Sequence, residues 1–324
     1  MTALSSRGRV LVVLVATVLL AGVAVGYVRW SAQSAKGAPV PVGEMATGAR
    51  LQVLSNGRLS TLARSDPGGP RSVGALECDR AYAAADTVVC LTPVGVLGTT
   101  RMVVLDAGLH ERRSVPLAGF PNRTRVSASG RMVAWTLFVG GHSYAAGGFA
   151  TQTGILDTRT GGLVESLEGF AVVRDGRPYR AADLNFWGVT FARDDNRFYA
   201  TMSTDGRRYL VEGDLAARTV RTVAENVECP SLSPDGTRIA FKQAVDGDPA
   251  KGWRLSVLDL ASMRVTNSAE RRSVDDQAAW LDGGTLGYAL QRSDGVNDIW
   301  AVSADGGGEP RLLVPEANSP AAVD

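Results

Sequence analysis

The chain has 324 residues, of which 45% are hydrophobic and 21% are charged, and its net charge is +1. This is the balance of an ordinary globular protein, with enough residues for one large domain or two small ones. The net charge excludes a strongly basic protein that binds polyanions. Many of the 37 glycines lie in turns between short runs of β-branched residues, which favours an all-β fold.

An uninterrupted apolar run occupies Val10–Val28 near the N-terminus. As a helix it would span roughly 28 Å, which is about the thickness of one hydrocarbon core. Arg7 and Arg9 precede the run, so residues 1–9 are expected in the cytoplasm and the rest of the chain outside it. We therefore predict an uncleaved, single-pass transmembrane signal anchor over residues 10–28.

Residues 29–48 are mostly small, rich in proline and glycine, and aperiodic, which is typical of a linker. The small residues Ala32 and Ala35 leave a cleaved signal peptide as the alternative to the anchor. Residues 49–324 are predicted to form one extracytoplasmic domain at the cell membrane. This domain is slightly acidic by itself, so no nucleic acid is expected as a partner.

The three cysteines predict one disulfide bond. Cys78 and Cys90 bracket a predicted hairpin, and a bond between them is plausible outside the cytoplasm. The alternative is a pair of buried free thiols. Cys229 is left over and is expected to be buried. Three cysteines and two histidines at these spacings form no zinc motif, so neither a metal nor another cofactor is predicted.

A strand–turn–strand segment recurs along the domain. Its clearest copy is CPSLSPDGTRIAFK, residues 229–242, with a Ser-Pro-Asp-Gly turn. Similar turns followed by an apolar strand begin at Asp86, Gly130, Asn196 and Gly284. The steps between copies are roughly 40 to 50 residues, with one longer step before Asn196. Such a period is typical of propeller blades.

A second type of hairpin alternates with the first, and it has an acid or a serine at its turn. Its copies lie at residues 101–116, 153–167, 208–223, 254–269 and 298–314. The acids at these turns are Asp106, Asp157, Asp214 and Asp259. Their carboxylates are expected to cap backbone N–H groups of the turn, which is a structural role.

The two ends of the domain complement each other. A further copy of the second hairpin, residues 50–63, opens the domain with no first hairpin before it. Residues 318–323, NSPAAV, resemble an innermost strand with nothing after it. Joining the two ends gives five complete blades and one composite blade, and a closed ring leaves only short, protected strand edges. We predict an all-β, six-bladed β-propeller closed by its N- and C-terminal strands.

The stretch Ser233–Phe241, with the hairpins that follow it, resembles the Pro-Asp-Gly repeat of the TolB-like six-bladed β-propellers, a WD-repeat-like family. The resemblance covers residues 49–324, and the other copies of the motif are degenerate. With its anchor, the chain also resembles membrane-anchored actinobacterial members of unassigned activity. The resemblance implies protein–protein interaction. The family's soluble periplasmic member has an extra N-terminal domain that is not expected here, so its translocation role is not implied.

The longest connection between predicted blades is residues 168–188. Its mixture of arginine, tyrosine and tryptophan is typical of interaction surfaces. The alternative is an extra hairpin packed on a neighbouring blade. The candidate binding residues in this connection are Arg174, Tyr179, Asp183, Asn185 and Trp187.

A second long loop, residues 139–150, contributes His142 and Tyr144. His142 and Ser143 faintly resemble a nucleophile elbow, but no helix pattern and no histidine follow them. The loop is therefore predicted to be a flexible connection that could touch a ligand, and no catalytic residue is assigned.

A third loop, residues 270–280, is the most polar connection and precedes an innermost strand. Its carboxylates could reach the mouth of the central channel and bind a cation or perform acid–base chemistry. The alternative is a capped turn with salt links to Arg271 and Arg272. The candidates here, with residues at matching positions of other loops, are Glu228, Trp253, Arg271, Asp275, Asp276 and Gln277.

These features predict a non-catalytic, membrane-anchored scaffold that binds a protein or a cell-envelope ligand over its loop face. The alternative function is a propeller hydrolase or lyase that acts on a glycan or peptide, with Asp275, Asp276 and Asp183 as acid–base groups. Two carboxylates that converge in the channel would favour the enzyme if at least one had a raised pKa. Exposed aromatic and arginine side chains without such a pair would favour the scaffold.

Overall fold

The computed structural model describes residues 48–94, 99–140 and 150–323. Within these ranges the chain forms 26 strands and three short 3-10 helices. None of these helices is long and apolar enough to cross a membrane. The predicted anchor over residues 10–28 lies outside the described residues, as do the predicted site residues His142 and Tyr144.

The strands are short and follow one another with tight turns. In the first half of the domain they are β1 (Arg50–Ser55), β2 (Arg58–Ala63), β3 (Ser72–Glu77), β4 (Arg80–Ala84), β5 (Thr87–Val94), β6 (Thr99–Leu105), β7 (Glu111–Ala118), β8 (Phe120–Val126), β9 (Met132–Val139), β10 (Ala150–Asp157), β11 (Leu163–Val164), β12 (Ala171–Arg174) and β13 (Arg177–Tyr179). In the second half they are β14 (Asn185–Phe191), β15 (Arg197–Thr204), β16 (Arg207–Asp214), β17 (Thr219–Glu225), β18 (Glu228–Leu232), β19 (Arg238–Ala244), β20 (Trp253–Asp259), β21 (Val265–Asn267), β22 (Ala279–Trp280), β23 (Thr285–Gln291), β24 (Asn297–Ser303), β25 (Arg311–Val314) and β26 (Ala317–Val323).

The strands form six sheets, which are the six predicted blades. Blade I is β4–β7, blade II is β8–β11, blade IV is β18–β21 and blade V is β22–β25. Blade III contains β14–β17 and, on its outer edge, β12 and β13. Blade VI joins β26 to β1–β3, with Arg50 opposite Val323 and Ser55 opposite Ala317. The predicted closure by the two terminal segments is confirmed.

The core lies between the blades and closes around the ring. Six clusters of buried apolar side chains each join two successive blades. Val89 of blade I packs with Trp135 of blade II, for example, and Ile299 of blade V packs with Leu51 of blade VI. Because every blade buries apolar residues on both faces, no blade is an end of the stack, and the ring needs no separate cap.

The repeat motif is a scaffold element, as the sequence predicts. At the turn of blade IV the N–H of Gly236 donates to the carbonyl of Ser233 at 2.9 Å, and Gly236 has a φ of +76°. The Ser233 hydroxyl and the Thr237 N–H donate to Asp235 and lower the pKa of its carboxyl to about 2. Phe241, on the following strand, is buried between blades.

The acids at the turns of the second hairpins cap backbone N–H groups, and this prediction is also confirmed. Asp106 accepts from the N–H of His110 at 2.9 Å, and Asp259 accepts from the N–H of Ser262 at 2.7 Å. Asp157 and Asp214 make equivalent bonds within their own turns.

The predicted disulfide joins Cys78 to Cys90, and Cys229 is a buried free cysteine. Cys90 lies on β5 and Cys78 just before β4, so the bond ties the start of blade I to its second strand. The alternative of two free thiols is therefore wrong.

The long connection over residues 168–188 is mainly a hairpin, the alternative named above. Strand β12 pairs with β17 in parallel, and β13 pairs with β12. The hairpin therefore extends blade III outward, away from the channel. Val172 of this hairpin belongs to the apolar cluster that joins blade III to the neighbouring blade II. It accounts for the one long step in the repeat.

Candidate functional site

The channel has two different ends because all six inner strands run in the same direction. Each blade is an antiparallel meander that starts at the centre, so β4, β8, β14, β18, β22 and β26 begin at one end and finish at the other. We call the end where they begin the proximal mouth and the other end the distal mouth. Loops between blades and between the second and third strands of a blade surround the proximal mouth.

The structure brings one group of the predicted residues to the proximal mouth. They are Glu228, Trp253, Arg271, Asp275, Asp276 and Gln277. Four cations that the sequence analysis did not single out join the carboxylates there. We define the mouth cluster as Arg80, Arg123, Arg208, Glu228, Lys242 and Asp275.

Lys242 lies at the centre of the mouth cluster. It is on β19, and its side chain is only 7% exposed. Its Nζ is 3.4 Å from Oε2 of Glu228 and contacts Oδ1 of Asp275. The same Nζ lies 4.2 Å from the centroid of the Trp253 ring, which is a cation–π geometry. One buried ammonium group thus joins two carboxylates and an aromatic side chain.

Glu228 opens β18 and is 2% exposed. Burial raises the pKa of its carboxyl above the usual value, and Lys242 and Arg208 offset this only partly. The Arg208 guanidinium contacts Oε1 as an ion pair, but the N–H direction does not make a hydrogen bond. Oε1 is therefore a buried acceptor with no hydrogen bond, next to a cation.

The pKa of Asp275 is displaced in the opposite direction from that of Glu228. Its side chain lies between the walls of the mouth, but 68% of its surface is exposed to water. Burial by those walls tends to raise the pKa of Asp275, but Lys242, Arg123 and Arg80 lower it below the usual value. Arg123 also donates from Nη2 to the backbone carbonyl of Asp275 at 3.1 Å. This bond crosses the channel from blade II to the loop before blade V.

Arg80 and Arg123 bring two guanidinium groups close together at the same mouth. Burial and the charge of Arg123 lower the pKa of Arg80, which has the carboxylates of Asp275, Asp276 and Asp79 nearby. Nε of Arg80 donates to the carbonyl of Asn122 at 2.7 Å. Positive charge is thus concentrated on the blade I and blade II side of the mouth.

The other predicted residues of the polar loop hold the fold in place. The Asp276 carboxylate accepts from the N–H of Ala289 at 3.0 Å. The Gln277 amide donates to the carbonyls of Pro230 at 2.7 Å and Val189 at 3.2 Å, so it ties three blades together. Trp253 is partly exposed at the start of β20.

The expected salt links from Asp275 or Asp276 to Arg271 and Arg272 do not form. Arg272 instead pairs with the buried carboxylate of Glu270, at 2.6 Å, and stacks on a tryptophan. Arg271 is exposed. The predicted salt links to Arg271 and Arg272 are wrong because the chain directs Asp275 inward, where Lys242 of blade IV reaches it.

The residues predicted in the long connection lie in blade III and in the connection before it, outside the mouth cluster. Arg174, Tyr179 and Asp183 meet at the β15–β16 turn of blade III, where the Tyr179 hydroxyl and Nη1 of Arg174 contact Asp205. Asn185 and Trp187 are not loop residues, because both are buried on β14. These five residues therefore do not join the mouth cluster.

The arrangement at the proximal mouth is a fixed, charged surface with little open channel beneath it. The space behind it, lined by Arg80, Arg123, Asp276 and Gln277 among others, has a volume of about 30 Å³. That is room for about one water molecule. Among the described residues, no three His, Cys, Asp or Glu side chains are grouped closely enough to hold a metal ion.

Comparisons with known proteins agree with the architecture. No family model matches the chain. A protein TolB homolog of Chlorobium luteolum is 37% identical over 78 residues, which is 24% of this chain and only 16% of that relative. The crystal structure of TolB from Acinetobacter baumannii superposes with a TM-score of 0.63 at 14% identity, covering 87% of this chain and 68% of that one.

A less similar structure is the nidogen/laminin complex, with a TM-score of 0.53 at 12% identity, covering 85% of this chain and 98% of that one. At these identities the likeness is one of fold. The chain has the TolB-like six-bladed β-propeller fold.

Proposed function

We propose that this TolB-like propeller is a non-catalytic scaffold of the cell envelope, and that a protein or another envelope ligand binds at its proximal mouth. The observation that carries the proposal is the mouth cluster, in which buried cations hold the carboxylates in place. Asp275 stays ionised and exposed between Lys242 and Arg123. Exposed and half-exposed side chains, Arg271 and Trp253, lie beside it. Arginine and tryptophan on a rigid surface are typical of interaction sites.

The proposed location is the extracytoplasmic side of the membrane, with the propeller tethered by the apolar run over residues 10–28. The proposal rests on the length of that run and on the arginines before it. A tether would favour the proposed function, because it raises the effective concentration of the propeller around any envelope partner.

The test uses the full chain and two charge-reversal variants as baits for detergent-extracted envelope proteins. Asp275→Lys reverses the exposed carboxylate of the mouth, and Arg264→Glu reverses an exposed charge at the outer β20–β21 turn of the distal side. Melting temperatures establish that both variants are folded. We expect a partner that wild type and Arg264→Glu retain and that Asp275→Lys loses. Equal retention by all three baits contradicts a proximal-mouth site.

A second candidate function is a hydrolase or lyase acting on a glycan or peptide. It is favoured by one observation, which meets the criterion given above for an enzyme. Glu228 and Asp275 converge on Lys242, and their pKa values are displaced in opposite directions, that of Glu228 upward. Such a pair can divide acid and base roles. Glu228 is, however, 2% exposed behind Lys242, which leaves a substrate no direct approach. Turnover of envelope oligosaccharides or peptides that disappears in Glu228→Gln would favour the enzyme over the scaffold.

A further inference from the structure

The distal mouth contains a cavity that the proposed function does not use. Its volume is about 320 Å³, at the lower end of the range of small-molecule sites. All six blades line it, so it is the distal part of the central channel. Tyr82 and Arg125 line both this cavity and the small space behind the proximal mouth, so they divide the channel between the two.

Arg125 is the unusual residue of this cavity. It lies on the inner strand β8 and is 5% exposed. Among the described residues no carboxylate lies within ion-pair distance of it. Nη2 donates to the carbonyl of Ala278 at 3.1 Å, and Nε is buried without a hydrogen-bond partner. A buried cation with no counter-ion is unfavourable, and a bound anion would reduce that penalty.

The surroundings fix the direction of this guanidinium. Its central carbon lies 4.2 Å from the centroid of the Tyr82 ring, so the tyrosine supports one face of the plane. Nη2 is held by the opposite blade through Ala278. The Arg125 guanidinium, whose Nε lacks a hydrogen-bond partner, is therefore already oriented before any ligand binds. Binding sites for carboxylates require such a fixed guanidinium.

The remaining walls favour a small organic body over a bare inorganic ion. Val126, Phe191, Trp280 and Val323 line the cavity with apolar surface. The indole N–H of Trp280 is already used, because it donates to the carbonyl of Ser231 at 2.8 Å. Arg193, which is exposed, also lines the cavity, and its guanidinium donates to the carbonyl of Pro234. The buried, oriented guanidinium of Arg125 above this apolar surface matches a ligand with one carboxylate and a flat apolar part.

We propose that the distal cavity binds a small organic carboxylate, with Arg125 pairing with the carboxylate and the apolar walls covering the body of the ligand.

The test measures the binding of benzoate to the purified full chain by calorimetry and by the shift in melting temperature. Benzamide, its neutral isostere, and inorganic phosphate are the comparison probes. We expect saturable binding of benzoate, with benzamide at least tenfold weaker and phosphate without effect. No saturable binding of benzoate, or equal binding of benzamide, overturns the proposal. Phosphate binding as tight as benzoate binding overturns the carboxylate class.

Two variants locate the site. Arg125→Gln removes the charge, and Ala322→Trp fills the cavity from the partly exposed edge of β26 while it leaves Arg125 in place. We expect each to weaken benzoate binding at least tenfold, whereas Arg264→Gln at an outer turn leaves it unchanged. If Arg125→Gln does not fold, Ala322→Trp decides alone. Unchanged affinity in a folded variant of either kind overturns the proposal.

Discussion

Replacing Lys242 with methionine should destabilise the propeller by roughly 3–5 kcal/mol at neutral pH, because it removes one partner from a buried ionic group. The Lys242 side chain is 7% exposed and that of Glu228 is 2% exposed, so water cannot replace the lost ammonium. Methionine keeps most of the volume and the contact with Trp253, so packing changes little. For a domain of this size, the loss corresponds to a decrease in melting temperature of roughly 6–20 °C.

The pH dependence of this loss identifies its cause. Burial raises the pKa of Glu228 in the folded protein. As the pH rises from the usual pKa of a glutamate through this raised pKa, ionisation of Glu228 therefore makes folding less favourable. Without Lys242 that pKa rises further. The free-energy difference between wild type and Lys242→Met should therefore be larger at about pH 8 than at about pH 5. Thermal melts monitored by circular dichroism at the two pH values measure it.

The matched control is Lys251→Met, which removes a lysine of the same blade from an exposed pair with Asp246. Exposed pairs contribute about 0–1 kcal/mol, so this variant should melt close to wild type at both pH values. The double variant Lys242→Met/Glu228→Gln should recover part of the lost stability, because residue 228 then no longer carries a buried negative charge that has lost Lys242. If Lys242→Met and Lys251→Met were equally stable, or if the loss were larger at low pH, the reasoning about the mouth cluster would be refuted.

Three other variants or treatments test the fold. Reduction of the disulfide, which spans a sequence separation of 12, should cost about 3 kcal/mol, measured as a lower melting temperature in reductant. Gly188→Ala should destabilise the protein far more than Gly236→Ala. Both glycines have a positive φ, but only at Gly188 would the new Cβ lie 2.8 Å from the backbone of Cys229. Similar melting temperatures of the two variants would contradict this reasoning. Tyr288→Phe removes a 2.6 Å hydrogen bond to the buried carboxylate of Glu270 and should cost about 1.5–3 kcal/mol in urea unfolding.

The architecture could be predicted because it repeats. A turn such as Ser233–Gly236 and the acid at the next turn have local causes, namely backbone conformation and capping, and those causes recur in each blade. The unmatched hairpin at the start of the domain and the single strand at its end then required the ring to close through them. The disulfide followed from a hairpin that brings its two cysteines together.

The partners at the proximal mouth could not be predicted because they come from distant parts of the chain. The loop before blade V supplies Asp275, and its cations come from blades II and IV, at Arg123 and Lys242. Sequence proximity favoured Arg271 and Arg272 instead. A signal existed, because Lys242 ends the apolar strand of the strongest repeat, and Arg125 opens the strand that precedes the turn at Gly130. A charged residue on a strand predicted to be buried needs a partner or a ligand.

The measurement that tests the central claim most directly is site-specific photo-crosslinking in cells that carry the full chain. One probe replaces Arg271, exposed beside the proximal mouth, and the other replaces Met263, 43% exposed at the outer turn of blade IV. Neither substitution disturbs the mouth cluster. The proposed function predicts a discrete adduct from position 271 and none from position 263. An adduct from position 263 alone, or none from either, would contradict binding at the proximal mouth.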